Sequence, residues 1–359
     1  MQESYAALFD SQIKALFKDA LKINLRDPGK TLFFWRTLNN QRKAVKTREA
    51  MAEQDIHVPP LMIISVTNQC NLNCAGCYAR ALRKSVEAEM SNELLRRIVH
   101  EAAELGVSIV MLAGGEPLLR PDILDIARDH PQVIFPVFTN GLLLDDQMLE
   151  RIRTLRNVIP VISLEGHEEA TDERRGQGIF EYVEDLIERI NAKDIFTGIS
   201  FTVTRFNLPI VTDRHFISSL ISRGSKLFFF VEYVPVKAGT EDWILTQDQR
   251  SLLLTYLDSL RSALPGLFIC FPGDEEQFGG CLSSGRGFVH VSAEGKLEPC
   301  PFAPYSDTSL ANIPLREALK SEFLAKIRAN HNELKETSGG CALWAKREWV
   351  ASLIPTREN

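Results

Sequence analysis

From Pro60 to Val236 the chain repeats one pattern, a short run of β-branched and other apolar residues followed by a longer amphipathic stretch. Strands separated by helices pack as a parallel sheet with the helices over its faces, because a crossover long enough to hold a helix returns the chain in the same direction. The apolar runs predict six strands: Leu61–Thr67, Ser108–Ala113, Val133–Thr139, Val158–Leu164, Thr197–Thr204 and Leu227–Val236. Helical spacing predicts helices over Asn92–Leu105, Pro121–Asp129, Asp145–Leu155, Ile179–Ala192 and Thr212–Arg223, several opened by Ser, Asp or Thr. Six units fall short of a closed eightfold barrel. The expected fold is therefore α/β, a partial (β/α)6 barrel of the TIM type with ligand sites at the C-terminal strand ends.

The flanks read differently. Residues 1–58 predict a helical extension, with Leu8, Ile13, Leu16, Phe17 and Leu21 at near-helical spacing. Its second half is basic and aromatic: eight Lys and Arg lie from Lys22 to Arg48 against the single acid Asp27, interleaved with Phe33, Phe34 and Trp35. Such a segment either packs its aromatics on the barrel with its charges in water, or rests on an anionic membrane surface as a peripheral contact. Gly29-Lys30-Thr31 imitates the end of a phosphate-binding loop, but Asn24 stands where that loop needs its first glycine. Residues 59–236 hold the βα repeat. From Lys237 to Asn359 the alternation thins and Gly, Pro and Cys increase, which predicts a separate loop-rich domain over 237–359.

A formal net charge of -6 and a pI of about 5.8 argue against a nucleic-acid partner, which would need a basic surface to displace phosphate counterions. No apolar run approaches the roughly 18 residues of a membrane span, and the N-terminus lacks the pattern of a secretory signal. The expectation is a cytoplasmic protein whose thiols stay reduced. Seven cysteines, an odd number, suit metal or cluster ligation better than a disulfide framework.

Three of them, Cys70, Cys74 and Cys77, follow the first predicted strand as C-x3-C-x2-C. Thiolates are soft donors that favour zinc, copper(I) or iron–sulfur clusters. Structural four-cysteine zinc sites usually come as two C-x2-C pairs, and no fourth cysteine is nearby. If the three hold a four-iron cluster, one iron keeps an open position for an outside ligand. The alternative is a zinc site closed by a remote residue.

The stretch CNLNCAGCY resembles the signature of the radical S-adenosylmethionine (SAM) enzymes. That resemblance implies a six-stranded partial barrel and a [4Fe-4S] cluster whose open iron binds the amino and carboxylate groups of SAM. It also implies reductive cleavage of SAM to a 5′-deoxyadenosyl radical that takes hydrogen from the substrate. Gly114, Gly115, Glu116 and Pro117, ending the second strand, resemble the family's GGEP motif, which receives the SAM amino group; glycines admit close backbone approach and a carboxylate pairs with an ammonium. Ser163 and Glu165, two apart and so on one side of an extended chain, resemble the pair that binds the SAM ribose, with Glu where relatives usually carry Asp. Arg175, with Arg174 as its rival, resembles the arginine that pairs with the SAM carboxylate. Thr139, Asn140 and Gly141 after the third strand, and Thr202 on the fifth, are pocket lining or ordinary turn and core polar residues.

Four cysteines remain. Cys281 and Cys300 frame a C-x13-G-x4-C pattern around Gly295, and VHVSAEGKLEPC predicts a β-hairpin turning at Glu294-Gly295. This resembles the auxiliary-cluster domains called SPASM or, when shortened to one cluster, twitch. The resemblance implies one auxiliary [4Fe-4S] cluster on Cys281, Cys300 and Cys341, with Cys270 either completing the shell or buried as a small hydrophobe. In the latter case an auxiliary iron stays open to substrate. The implied activity is that of a radical SAM oxidoreductase supplied by an electron donor such as flavodoxin or ferredoxin, with the auxiliary cluster oxidising or anchoring the substrate. One of Asp274, Glu275 or Glu276 is a candidate proton acceptor.

The substrate class stays open among small molecules, peptides and lipid-linked compounds. Residues 1–58 lack the strand-rich pattern of a winged-helix peptide-recognition domain, which weighs against a leader-dependent peptide enzyme. Rival readings are a peptide- or protein-modifying maturase and a non-catalytic iron–sulfur or zinc-binding assembly protein.

Overall fold

A computed structural model describes residues 5–23, 28–82, 88–334 and 341–354. Six strands, β1 (Leu61–Thr67), β2 (Ile109–Gly114), β3 (Phe135–Thr139), β4 (Val158–Ser163), β5 (Gly198–Val203) and β6 (Leu227–Glu232), pair in sequence order, all parallel. Helices Asn92–Glu104, Ile123–Asp129, Asp146–Leu155, Ile179–Ala192 and Arg214–Ser222 alternate with them. Ser91, Asp145 and Asp213 cap three of these helices by accepting from backbone N–H groups of the first turn. Barrel strands covered on both faces carry continuous apolar runs; accordingly Met62, Ile64 and Val66 of β1 and Phe228, Phe229 and Phe230 of β6 are all buried.

Beyond residue 236 the chain does not leave the sheet. The helix Gln247–Ala263, opened by a capping box between Thr246 and Gln249, leads into β7 (Leu267–Phe271), which lies parallel to β6. Then β8 (Phe288–Val291) adds a parallel strand beside β1, and β9 (Lys296–Glu298) and β10 (Thr308–Ser309) continue antiparallel. The order is β10-β9-β8-β1-β2-β3-β4-β5-β6-β7. The 237–359 segment thus supplies strands to both edges of the barrel sheet. The expected hairpin is β8-β9, with Gly295 at φ +80° in its turn.

The N-terminal extension forms α1 (Tyr5–Ile23) and α2 (Pro28–Ala52). In α1, Ile13, Phe17 and Ala20 are buried, and Phe9 meets Phe278 edge to face at 5.1 Å. Between α1 and the N-terminal half of the barrel lies a cavity of about 610 Å³ lined by Ile109, Met111, Phe229 and Phe271 among others. Arg48 of α2 is buried in an ion pair with Asp10 of α1 at 2.6 Å and donates to the carbonyl of Gly106. The aromatics of the basic segment divide: Phe34 is buried against Phe196 at 5.2 Å with Phe33 beside it, whereas Trp35 and Leu32 are exposed. Asp27 lies outside the described residues. No helix among the described residues is long and apolar enough to cross a membrane.

Candidate radical SAM site

After β1 the chain turns into the cysteine loop, and β2 holds that loop from below. Gly115 N–H donates to the carbonyl of Thr67 at 2.7 Å and Glu116 N–H to that of Gln69 at 2.8 Å. A side chain at either glycine would collide with this backbone: a β-carbon at Gly115 would overlap the Gln69 carbonyl, and one at Gly114 that of Thr67. The two glycines therefore serve the approach of strand end to cysteine loop. From the other side Glu89 accepts from Thr67 Oγ1 at 2.8 Å and from Asn68 N–H at 2.7 Å.

Glu116 is 1% exposed. Its carboxylate accepts from Thr139 Oγ1 at 2.7 Å, Asn140 N–H at 2.9 Å and Leu118 N–H at 3.0 Å, so it ties the ends of β2 and β3 together. Burial pushes its pKa up against these donors. Asn140 in turn donates to Asn71 Oδ1 at 2.7 Å and reaches Cys70 Sγ at 4.0 Å. Pro117 begins the single turn that follows, and Gly141 takes φ +86°.

On the opposite side of the loop stands Glu165, also 1% exposed, between two arginines of the helix Glu168–Arg175. Arg175 Nε donates to it at 2.9 Å, Arg174 Nη1 pairs with the same oxygen, and Thr202 N–H donates to its second oxygen at 3.2 Å. Arg174 also donates to Thr202 Oγ1 at 3.1 Å, while its Nε is buried with no hydrogen-bond partner among the described residues. Both guanidiniums face Cys74, and Ala75 N–H donates to the Arg174 carbonyl at 2.8 Å. Burial pushes the Cys74 thiol up and the arginines oppose this; such positive neighbours favour thiolate. Burial likewise raises Cys70. Ser163, half-buried, ends β4 opposite Ser200 of β5.

Cys70, Cys74 and Cys77 stand within electrostatic range of one another. Among the described residues no three Cys, His, Asp or Glu side chains close around a single metal ion. A tetrahedral zinc with ligands at about 2.3 Å would draw its sulfurs to roughly 3.8 Å apart, whereas a cluster holds them farther apart. Three clustered thiols, a buried arginine Nε without a partner and a carboxylate at the next strand end fit a [4Fe-4S] cluster and the charged amino-acid end of SAM.

The C-terminal cysteines divide. Cys281 and Cys300 are buried and Cys341 half-buried, and Cys341 is one of the ionisable groups facing Cys281. Cys270 is also buried, on β7, where the ionisable groups around it are Glu232, Asp274 and Arg261. Asp274 pairs with Arg261 at 2.7 Å, Glu275 is buried, and the Glu276 side chain lies outside the described residues. The two cysteine regions touch: Tyr78, next to Cys77, packs on Phe302 with ring centroids at 4.9 Å, and Asn68 Nδ2 donates to Glu294 in the hairpin turn at 2.7 Å.

Sequence reasoning missed a buried chain from Ser65 Oγ to His290 Nε2 at 2.8 Å and from His290 Nδ1 to Glu298 at 2.8 Å, which joins β1 to the hairpin. It also missed Asn207, whose Nδ2 donates to the Glu165 carbonyl at 2.9 Å and the Thr202 carbonyl at 3.0 Å. For the first the signal available was a polar residue inside an apolar strand, Ser65 in β1 and His290 in β8; Asn207 lies in the turn after β5, where nothing in the local pattern marks it.

The radical SAM superfamily profile matches residues 64–220. An AdoMet-dependent heme synthase of Methanosarcina barkeri is 29% identical over 314 residues, 79% of this chain and 89% of that protein. The mycofactocin maturase MftC of Mycobacterium ulcerans is 27% identical over 325 residues, covering 80% and 84%. Among solved structures, Streptococcus suis SuiB superposes with a TM-score of 0.66 at 18% identity over 90% of this chain and 83% of its own, which shows a shared fold. With the cysteine loop, its arginine and carboxylate neighbours and the parallel partial barrel in place, residues 64–220 are a radical SAM domain, and the chain is a radical SAM enzyme whose cofactors are an iron–sulfur cluster and SAM.

Proposed function

We propose that this chain is a radical SAM oxidoreductase that removes hydrogen from a substrate carbon and uses a second, C-terminal [4Fe-4S] cluster to oxidise or anchor the substrate. When bound, the first cluster supplies the electron that cleaves SAM to methionine and the 5′-deoxyadenosyl radical. The observation that carries the reading is the convergence of Cys70, Cys74 and Cys77 with Glu116, Glu165, Arg174 and Arg175 at neighbouring C-terminal strand ends. In this reading Cys70, Cys74 and Cys77 hold the first cluster. Arg174, with its spare Nε, and Arg175 orient the SAM carboxylate. Glu116 receives the SAM amino group, with Gly114, Gly115 and Pro117 shaping that turn and Thr139 and Asn140 holding the carboxylate in place. Ser163 and Glu165 face the ribose. Cys281, Cys300 and Cys341 hold the auxiliary cluster, and reducing equivalents come from a flavodoxin or ferredoxin.

The substrate class supported best is a tetrapyrrole, because the heme synthase of M. barkeri aligns over 89% of its length. A peptide substrate is the second reading, favoured by the MftC alignment. Among the described residues of 5–52 there are two helices packed on the barrel and no strand of a winged-helix peptide-binding unit.

The test is anaerobic reconstitution, then incubation with SAM and dithionite. We expect about eight irons per chain, released 5′-deoxyadenosine, and about four irons without SAM cleavage in the Cys70/Cys74/Cys77→Ala variant. Stoichiometric zinc in a colourless protein would overturn the enzyme reading. Mass loss from an iron tetrapyrrole bearing propionates, against that from a precursor peptide, decides between the substrate classes.

A further inference from the structure

We propose that the carboxylate of Glu275, and not the thiol of Cys270, is the fourth protein ligand of the auxiliary iron–sulfur cluster, beside Cys281, Cys300 and Cys341. This rests on the reading of the C-terminal segment as a cluster site.

Cys270 points away from the other cysteines. At this end of β7 Ile269 and Phe271 line the barrel cavity, as does Phe229, the β6 partner of Ile269, while Cys270 and its partner Phe230 do not, so by strand alternation Cys270 faces the outer helices. There its Sγ packs where a β-carbon on Gly273 would lie, 2.8 Å away, next to Leu254 of the helix Gln247–Ala263. Its N–H donates to Asp274 at 2.8 Å. Bringing the thiol round would require β7 to slip by one residue against β6. The two strands are paired from Leu227 with Leu267 to Val231 with Phe271, and a slip would turn the cavity-lining set outward.

Glu275 has the opposite placement. It lies in the short 3-10 helix Gly273–Phe278, is 4% exposed, and borders the cavity together with Phe278 and Leu282. The chain closes back on it: Gly280 N–H donates to the Glu275 carbonyl at 3.2 Å, which brings the next residue, Cys281, against it. The ionisable groups facing Cys281 are Glu275 and Cys341. Arg286, buried, fixes this loop by donating to the carbonyls of Cys281 at 2.7 Å, Phe278 at 2.8 Å and Gly280 at 3.2 Å. Ser284 N–H donates to the Pro299 carbonyl at 3.0 Å and so ties the Cys281 loop to Cys300. Cys341 opens a short helix, its Sγ accepting from Trp344 N–H at 3.4 Å. Three thiols and one carboxylate thus border one loop, and Cys270 stands on the far face of the neighbouring strand.

Ligation here is an acid–base step in which the thiols and the carboxyl bind as anions, release their protons to solvent and leave the oxidation states unchanged. A carboxylate oxygen is a harder donor than thiolate, so the iron it holds is the exchangeable corner and the cluster potential is set above that of an all-cysteine shell.

The experiment uses the full chain carrying Cys70/Cys74/Cys77→Ala, which leaves the auxiliary cluster as the one source of signal. Iron and sulfide are counted after reconstitution, and the dithionite-reduced protein is examined by EPR and redox titration. We expect Cys270→Ala to retain about four irons with an unchanged spectrum. Glu275→Gln should change the spectrum and lose about one iron on mild oxidation, and Glu275→Cys should restore four irons at a lower potential. Loss of iron in Cys270→Ala together with an unchanged spectrum in Glu275→Gln and Glu275→Cys would overturn the assignment. Absence of iron when Cys270 and Glu275 are both native would overturn the auxiliary-cluster reading itself, a distinct result. If Glu275→Gln does not fold, the potential of Glu275→Cys decides.

Discussion

Replacing Gly115 by alanine adds one methyl group at the tightest backbone contact of the site. The new β-carbon would stand 2.5 Å from the carbonyl carbon of Gln69 and 2.9 Å from the Asn68 oxygen, with the Gln69 oxygen nearer still. Carbon atoms rest at about 3.5–4.0 Å, so strand end and cysteine loop must separate by about 1 Å. That stretches the hydrogen bonds from Gly115 to Thr67 and from Glu116 to Gln69, now 2.7 and 2.8 Å. Two such bonds contribute about 1 kcal/mol each and overpacking costs about 1–3 kcal/mol, so a loss of about 3–5 kcal/mol is expected. Because the displaced segment runs into Cys70, the first cluster should fail to assemble, and iron per chain should fall by about half. Gly239→Ala is the control. Gly239 has φ +80° but no atom within 4 Å of its would-be β-carbon, so it should lose only the about 1–2 kcal/mol of a left-handed residue and keep its iron. Urea unfolding of the apoprotein and iron analysis of the reconstituted protein read both effects. A Gly115→Ala protein with the native unfolding midpoint and full iron would refute the claim that these glycines hold the cysteine loop.

Glu165→Gln removes the one carboxylate shared by Arg174 and Arg175, both largely buried, and should cost about 3–5 kcal/mol in urea unfolding; a loss under about 1 kcal/mol would mean that the arginines find other partners. His290→Ala strands Ser65 and Glu298 in the interior and should lower stability by about 2–4 kcal/mol, whereas a neutral result in thermal unfolding would show that water replaces the ring. Tyr256 has a buried hydroxyl without a hydrogen-bond partner among the described residues and a pKa pushed up to about 12 by burial. The folded state therefore binds the proton more tightly than the unfolded chain, so stability falls as pH rises from the unfolded value near 10 toward 12. Tyr256→Phe should flatten that slope and be neutral or stabilising at pH 7; an unchanged slope counts against it. Leu32 and Trp35, 47% and 56% exposed, are the apolar groups of α2 left for a peripheral membrane contact. Replacing both by Ser should leave stability within about 0.5 kcal/mol and reduce flotation with anionic vesicles, and flotation at native level would remove the contact.

The six barrel strands were legible because parallel strands buried on both faces write unbroken apolar runs, and each observed strand lies within a residue or two of its expected limits except where β6 ends at Glu232 rather than Val236. β7 and its helix were missed. LFICF is short and sits in a stretch rich in Gly and Pro, although the Thr246/Gln249 capping box was readable before it. The helix Glu168–Arg175 was missed because its charged sequence has no apolar face. In the site, the cysteine spacing and the GGEP turn were visible as local patterns. The chain from Ser65 through His290 to Glu298 was not, since its members lie 225 and 8 residues apart and meet only when β8 pairs with β1.

The sequence by itself determined the order of the six barrel strands and of five helices between them, the family resemblance, and the placing of three thiols and a carboxylate just past strand ends, because these depend on spacing along the chain. The tertiary structure decided what spacing cannot reach. It joined the C-terminal segment to both edges of the barrel sheet, set Arg174 and Arg175 together on Glu165, and turned Cys270 toward the outer helices while Glu275 folded against Cys281. Those outcomes follow from strand register and close packing, in which one residue's shift along a strand reverses the face it presents.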